Sequence, residues 1–306
     1  MRAAPARIRD RVTAAHAQRV AAHPARWANA RRNAHAEPDR PRRWRAARDA
    51  LWAHVLPYLP AGGRMAVVGA GNADDLPLTR LARRAAHVAL FDLDAHAARS
   101  ARRREPLRLR RRIAVVELDI TAGAADAIAA AARDRVPAPP AGCAAALPGG
   151  PYDLVIGDLL YSQLLYPALR DLAIPEPRQR AFLARYGPAL TDLVVARLHA
   201  SAPRGHVTHL HDMLGWWPGH RQPLGAAELL ERGAADPHAA LAAAGHWPGP
   251  HDTDPRAALR RLGRAPEATA LWAWPFSADV TYLVCATTAP GALDNQGANL
   301  NSGAPS

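Results

Sequence analysis

The sequence predicts an α/β protein built on a doubly wound, mainly parallel seven-stranded sheet with an N-terminal helical extension. Three observations predict it. A short apolar strand, Met65 to Val68, runs into a glycine turn, a helix and a second strand that ends on an acid, Asp92. Strand-like and helix-like runs then alternate through the chain, the pattern of a parallel sheet covered on both faces. Finally, successive strands end in acids (Asp74 and Asp75, Asp92 and Asp94, Asp119, Asp158, Asp212), so carboxylates converge on one crevice beyond the strand C-termini.

Residues 1–43 are rich in Ala, Arg and His, with a weak helical period (Ile8, Val12, Trp27) interrupted by Pro24, Pro38 and Pro41. They read as a helical or partly disordered arm. Trp44 to Leu59 is a better helix, with Ala47, Leu51 and Val55 on one side, extended by Trp52, Leu56 and Leu59. Pro60 and the Gly62–Gly63 pair end it. After the first strand, a helix runs from about Leu76 to Arg84, and the second strand spans His87 to Phe91. Ala95 to Arg104 is helical, Ile113 to Leu118 is the third strand, and Ala124 to Arg133 is helical. An aperiodic Pro/Gly/Ala linker, Pro137 to Pro151, leads to the fourth strand, Tyr152 to Gly157. Leu160 to Leu172 and Arg178 to Ala200 are helical, parted by Pro175 and Pro177, and Gly205 to His211 is the fifth strand. Residues 215–268, with Trp216, Trp217 and Trp247, form an insertion with short helices near 225–232, 236–244 and 255–262; it is either a packing cap or an acceptor lid. Thr269 to Trp274 and Asp279 to Ala286 are the last strands. The main domain is therefore 44–286, and the Ala/Gly/Asn/Ser tail 287–306 is expected to be disordered.

The glycine turn carries the first functional signal. Gly69 permits the sharp turn, and Gly71 removes a Cβ that would block a ligand. A dinucleotide site wants a third small residue facing a pyrophosphate, but here Asp74 stands there, followed by Asp75. Two carboxylates repel a pyrophosphate and suit a ligand with sulfonium and ammonium groups. S-adenosylmethionine is such a ligand and has no phosphate. Asp92, ~20 residues further on, is placed to take both ribose hydroxyls. Asp94 is the competing candidate, and an N-cap explains it equally well.

These residues resemble the motifs of the class I S-adenosylmethionine-dependent methyltransferases over roughly Trp44 to Ala286. The glycine motif is Val67-Val68-Gly69-Ala70-Gly71-Asn72, the ribose motif Phe91-Asp92-Leu93-Asp94, the adenine-edge motif Leu118-Asp119-Ile120, and the fourth-strand motif Asp153 to Asp158. More narrowly, Gly-Ala-Gly-Asn-x-x-Asp-Leu-Pro-Leu and the later Ser162-Gln163-Leu164 resemble a bacterial branch of that superfamily whose substrates are not generally known. The resemblance implies a Rossmann-like methyltransferase fold with an antiparallel final strand. It also implies S-adenosylmethionine as cofactor, held by Gly69, Ala70, Gly71, Asn72, Asp92, Leu93, Asp119, Ile120 and Asp158. It does not specify the methyl acceptor. Two departures stand out. The first strand begins at Arg64–Met65 where an acid is common, so the contact to the methionine carboxylate must come from elsewhere. The fourth strand continues as Asp158-Leu-Leu-Tyr161, without the Asn-Pro-Pro-Tyr type motif of enzymes that methylate nucleic-acid amines.

A hydroxyl acceptor needs a general base, and His209 and His211, two apart on a strand, point to one face. They, with Asp212 as an orienting acid, and Tyr161 are the catalytic candidates, set against the bland reading that two of fourteen histidines merely fall close together. No third and fourth ligand stand at metal spacing, so no metal is expected. A small-molecule acceptor is preferred. The alternative is a nucleic-acid-binding protein or RNA methyltransferase using Arg31–Arg32, Arg40 to Arg48 and Arg102 to Arg112. Against it, the chain has no lysine, so arginine enrichment reads as base-composition bias and the formal charge of +12 loses weight. The oligomeric state is not legible. Cys143 and Cys285 lie far apart, which suits a reducing cytoplasm. No apolar run approaches the ~20 residues of a membrane span, no apolar signal core stands near the N-terminus, and serine is too sparse there for a good transit peptide.

Overall fold

The computed structural model describes residues 23–34, 37–140, 142, 145–220, 222–244 and 253–291. At its centre is β1 (Arg64–Val68), whose residues Met65 to Val68 are all buried. A strand covered on both faces has no need of polar alternation. Met65 and Val67 belong to one core layer, Ala66 and Val68 to the other, as the two-residue period of a strand requires. β1 pairs in parallel with β2 (His87–Asp92) and β4 (Leu154–Gly157). β2 pairs in parallel with β3 (Ile113–Glu117), and β4 with β5 (His206–Trp216). β7 (Thr281–Pro290) lies antiparallel between β5 and β6 (Ala268–Trp274), giving the order β3-β2-β1-β4-β5-β7-β6. This mainly parallel seven-stranded sheet is the architecture the resemblance implied. The strand order reverses between β1 and β4, which opens a crevice beyond their C-terminal ends.

Twelve α-helices flank the sheet among the described residues: α1 (Pro24–Ala34), α2 (Arg40–Arg43), α3 (Arg45–Val55), α4 (Leu78–Arg84), α5 (Ala95–Arg104), α6 (Leu107–Arg110), α7 (Ala124–Asp134), α8 (Tyr166–Asp171), α9 (Glu176–Ala200), α10 (Ala226–Ala235), α11 (Pro237–Ala243) and α12 (Pro255–Arg261). α3, α4 and α5 cover one face through Leu51, Val55, Leu81 and Ala98. α7, α8 and α9 cover the other through Ile128, Leu169, Leu183 and Val194. No described helix is long and apolar enough to cross a membrane.

Several expected boundaries move, each for a local reason. The helix expected from about Leu76 begins at Leu78, because Pro77 stands at its N-cap, and Asp74 and Asp75 lie in the loop before it. The run 160–172 splits into a 3-10 turn (Tyr161–Gln163) and α8, which Pro167 opens. α9 begins before Pro177 rather than after it; a proline in the first turn sacrifices no helical hydrogen bond. β5 runs on to Trp216 through an irregularity at Asp212/Leu214, so Trp216 is a strand residue and not part of the insertion. The disorder expected from Thr287 starts too early. Thr287 to Pro290 remain in β7, paired with His206 to His209 on one side, while Thr287 and Thr288 pair with Thr269 and Ala268 on the other. Ile8, Val12, Trp247, Cys143 and the tail beyond Gly291 lie outside the described residues.

Candidate ligand crevice at the strand ends

The loop after β1 is built from left-handed backbone: φ is +84° at Gly69, +46° at Gly71 and +53° at Ala73. A Cβ on Gly69 would stand 2.9 Å from the Asp158 carbonyl oxygen, so glycine is required twice over. At Gly71 the neighbour is not open ligand space, as the sequence suggested. A Cβ there would meet Asn33 Oδ1 of α1 at 3.1 Å. Asn72 is likewise turned to the arm and donates from Nδ2 to the Asn33 carbonyl at 2.8 Å.

Asp92 ends β2 at 4% exposure. Its Oδ1 accepts from Asn29 Nδ2 at 2.6 Å and from the Asp94 amide at 2.7 Å, and its Oδ2 accepts from the Gly71 amide at 2.7 Å. Burial still raises its pKa against these three bonds. Asp94 is the N-cap of α5, accepting from the amides of His96 and Ala97 at 3.1 and 3.2 Å, and it also accepts from Asn33. Asp158, after β4, is equally buried, and its Oδ1 has no hydrogen-bond partner. Burial, with Asp75 and Asp92 nearby, pushes its carboxyl well above the ordinary range. Half-buried Asp75 is pushed up to about 6, by burial first and by its neighbour Asp74. Asp74 itself pairs with Arg104 at 2.8 Å.

A cavity of about 90 Å³ adjoins these acids, lined by Gly69, Asp92, Leu93, Asp119, Ile120 and Asp158, with Ala25 and Asn29 of α1 against it. A second cavity of about 490 Å³ shares Gly69, Asp158, Asn29 and Gln163 with it and continues past Ala70, Gly71, Asn72 and Asp75 to Trp44 and Trp274. The predicted residues are thus brought to one continuous crevice. Asp119 also has a local duty: it accepts from the amides of Thr121 and Gly123 at 2.8 and 2.6 Å and closes its own turn. Arg197 of α9 holds that loop from outside, donating to the carbonyls of Asp119 and Ile120 at 3.1 and 3.0 Å.

The catalytic candidates sit elsewhere. Tyr161 and His209 are both fully buried, line neither cavity, and are hydrogen-bonded to each other. His209 Nε2 meets His199 Nε2 at 3.1 Å, and His199 Nδ1 donates to the Pro290 carbonyl at 2.9 Å. This is a closed chain in the core. Burial, together with His199, holds His209 well below the usual histidine range. His211 shares a face with His209, as the strand period required, and its ring stands 6.3 Å from that of Tyr161. Asp212 orients neither histidine: its Oδ2 accepts from Ser162 Oγ at 2.9 Å, and His211 Nδ1 is unpartnered.

Sequence reasoning missed Asn29 and Asn33, and offered Arg32 only as a nucleic-acid contact, because a helix with one weak apolar period gave no sign of packing on the crevice. It also missed Trp274, read only as a strand residue. The arginines offered as phosphate contacts are largely engaged within the chain. Arg43 pairs with Glu37 and Asp39 at 2.6 and 2.7 Å, and Arg112 donates to the carbonyls of Ala82, Arg83 and Ala85.

No family model and no curated protein sequence matches the chain. Among solved structures, it is similar to magnesium protoporphyrin IX methyltransferase from Synechocystis PCC 6803 with bound SAH, at 15% identity and a TM-score of 0.39, covering 80% of this chain and 82% of that one. It is similar to a SAM-dependent methyltransferase from Methanosarcina mazei at 10% identity and a TM-score of 0.43, covering 79% and 98%. It is also similar to a putative RNA methyltransferase from Pyrococcus horikoshii at 12% identity and a TM-score of 0.39, covering 82% and 83%.

Proposed function

We propose that this chain is an S-adenosylmethionine-dependent methyltransferase acting on a small molecule. One observation carries the reading: Asp75, Asp92 and Asp158 gather at the crevice of a doubly wound sheet with raised pKa values, and one oxygen of Asp158 is unpaired. Clustered buried carboxylates call for a cation. A nucleoside that carries positive charge and no phosphate answers both the fold position and the charge; a dinucleotide would add negative charge. When bound, S-adenosylmethionine supplies an electrophilic methyl group on its sulfonium.

The chain's own residues supply position. Leu93, Asp119 and Ile120 are on the smaller cavity, which suits the adenine end. Asp92 receives the ribose hydroxyls. Oδ1 already accepts two bonds and Oδ2 one, so a ribose takes the spare site on Oδ2 and replaces Asn29 on Oδ1. Asp75 and Asp158 face the cationic end, alongside Gly69, Ala70, Gly71 and Asn72. No base is assigned, since Tyr161 and His209 are spent on each other. The engaged arginines favour a small acceptor over a nucleic acid. Calorimetry with S-adenosylmethionine and with NAD is the test. Micromolar binding of the first and none of the second is expected, and the reverse would sink the reading.

A further inference from the structure

The larger cavity is acidic at its inner end and basic at its rim. Arg31 and Arg32 of α1 and Arg170 of α8 all line it. Arg31 and Arg170 share one carboxylate, Asp171, which is bonded to Arg31 and lies 3.9 Å from Arg170. The Arg32 guanidinium has no hydrogen-bond or ion-pair partner among the described residues, although it is largely removed from solvent. That burial lowers its pKa to about 10, with Asp171 only partly opposing. A guanidinium that lines a cavity with its donors unspent within the chain can bind an acceptor on a ligand there.

We propose that Arg32 is the binding residue for a carboxylate in this cavity. A planar guanidinium is matched to a carboxylate by two parallel N–H···O bonds. Two sources fit: the carboxylate at the methionine end of the cofactor, and a carboxylate on the acceptor, which would lie toward Gln163 and Arg170. The first source rests on the cofactor reading above; the second does not.

The experiment is calorimetry on the full chain and its Arg32→Met and Arg32→Lys variants, each checked by thermal melting. Three probes are used: S-adenosylhomocysteine, methylthioadenosine, which lacks the amino-acid end, and benzoate. If the cofactor is the source, Arg32→Met weakens S-adenosylhomocysteine by about tenfold or more and leaves methylthioadenosine unchanged, with partial recovery in Arg32→Lys. If the acceptor is the source, both adenosyl compounds are unaffected and benzoate binding to the protein is lost. The proposal is overturned if Arg32→Met changes neither the ratio of the two adenosyl compounds nor benzoate binding. It is equally overturned if both adenosyl compounds weaken together, which marks a packing role. Should the wild type bind neither adenosyl compound, the cofactor reading fails alone, and benzoate on the unliganded chain decides for or against Arg32.

Discussion

Asp158 follows β4 and His209 lies on β5, the next strand over, and both are fully buried; one is short of partners and the other is not. Around Asp158, three carboxylates crowd together, each with a raised pKa, at the edge of open cavities. Around His209, Tyr161 and His199 close a hydrogen-bonded chain that ends on a backbone carbonyl, and neither Tyr161 nor His209 lines the two crevice cavities. A polar group in a core is stable when its bonds are made inside the protein. Unmade bonds next to empty space mark where a ligand completes the structure. This contrast supports the proposal that the crevice binds a ligand and that the histidine chain is a structural strut, although the histidines were the more tempting catalytic residues in the sequence.

The strongest challenge to the contrast is Asp92→Ala. Hydrogen bonds to a charged acceptor contribute roughly 1.5–3 kcal/mol each, so loss of the ribose contact should weaken S-adenosylmethionine by about a hundredfold or more. The unliganded melt should fall too, because Asn29, Gly71 and Asp94 lose their common acceptor. Asp94→Ala should cost about 1 kcal/mol of stability through the lost cap and little affinity. Titration and melting of both variants check the pair; a swapped pattern would move the ribose contact to Asp94.

Next in size is His209→Phe. It leaves the Tyr161 hydroxyl and His199 Nε2 unpaired and should destabilise by about 1–3 kcal/mol. Cofactor affinity should stay within about twofold; a large loss with an unchanged melt would show that the histidine chain serves the site.

The two clusters also answer pH in opposite senses. Burial lowers the folded pKa of His199 to about 4, below its unfolded value, so the unfolded chain binds the extra proton between about 6.5 and 4 and stability is lost as pH falls through that window. The carboxylates have raised folded pKa values, and Asp75 reaches about 6, so between about 6 and 3.8 the folded chain binds more protons and this cluster gains stability as pH falls. A cationic ligand reverses that preference. Its binding should release protons and weaken as pH drops below about 6, whereas the melting temperature of Asp75→Asn should lose the carboxylate contribution and fall more steeply in acid than that of the wild type. Calorimetry in buffers of differing ionisation enthalpy reads the proton release directly, and proton uptake would contradict the assignment.

The smallest expected effect is at Asn29. A ribose hydroxyl replaces its bond to Asp92, so Asn29→Ala should leave S-adenosylmethionine affinity within about threefold. A loss of more than tenfold would mean that α1 builds the bound site rather than covering the empty one.

The frame of the molecule was legible because burial on both faces leaves apolar runs such as Met65 to Val68, and because Gly69 and Gly71 mark a left-handed turn. Strand ends were legible for the same reason, which is why Asp92, Asp119 and Asp158 could be placed on one crevice before any coordinates. What the arm does was not legible. Asn29 and Asn33 act through single side-chain bonds to residues some sixty positions away, and such bonds leave no period in a sequence. The surroundings of His209 were not legible because alternation tells which face a side chain takes, not whether that face is cavity or core. The end of β7 was placed early because threonines and alanines carry little hydrophobic signal, whereas pairing with β5 holds Thr287 to Pro290 and pairing with β6 also holds Thr287 and Thr288.

The place of β7 has a consequence for the birth of the chain. It is the last of the seven strands to be synthesised, yet it is an inner strand, with β5 and β6 on either side. Until residue 290 has emerged from the ribosome, β5 presents a long unpaired edge to the cell and β6 has no partner in the sheet at all. Edges of that kind recruit other strands. The nascent protein therefore passes through its most adhesive state only near the end of synthesis, and a stalled or prematurely released chain that stops before Thr281 would be a candidate for aggregation even though β1 to β5 had already assembled.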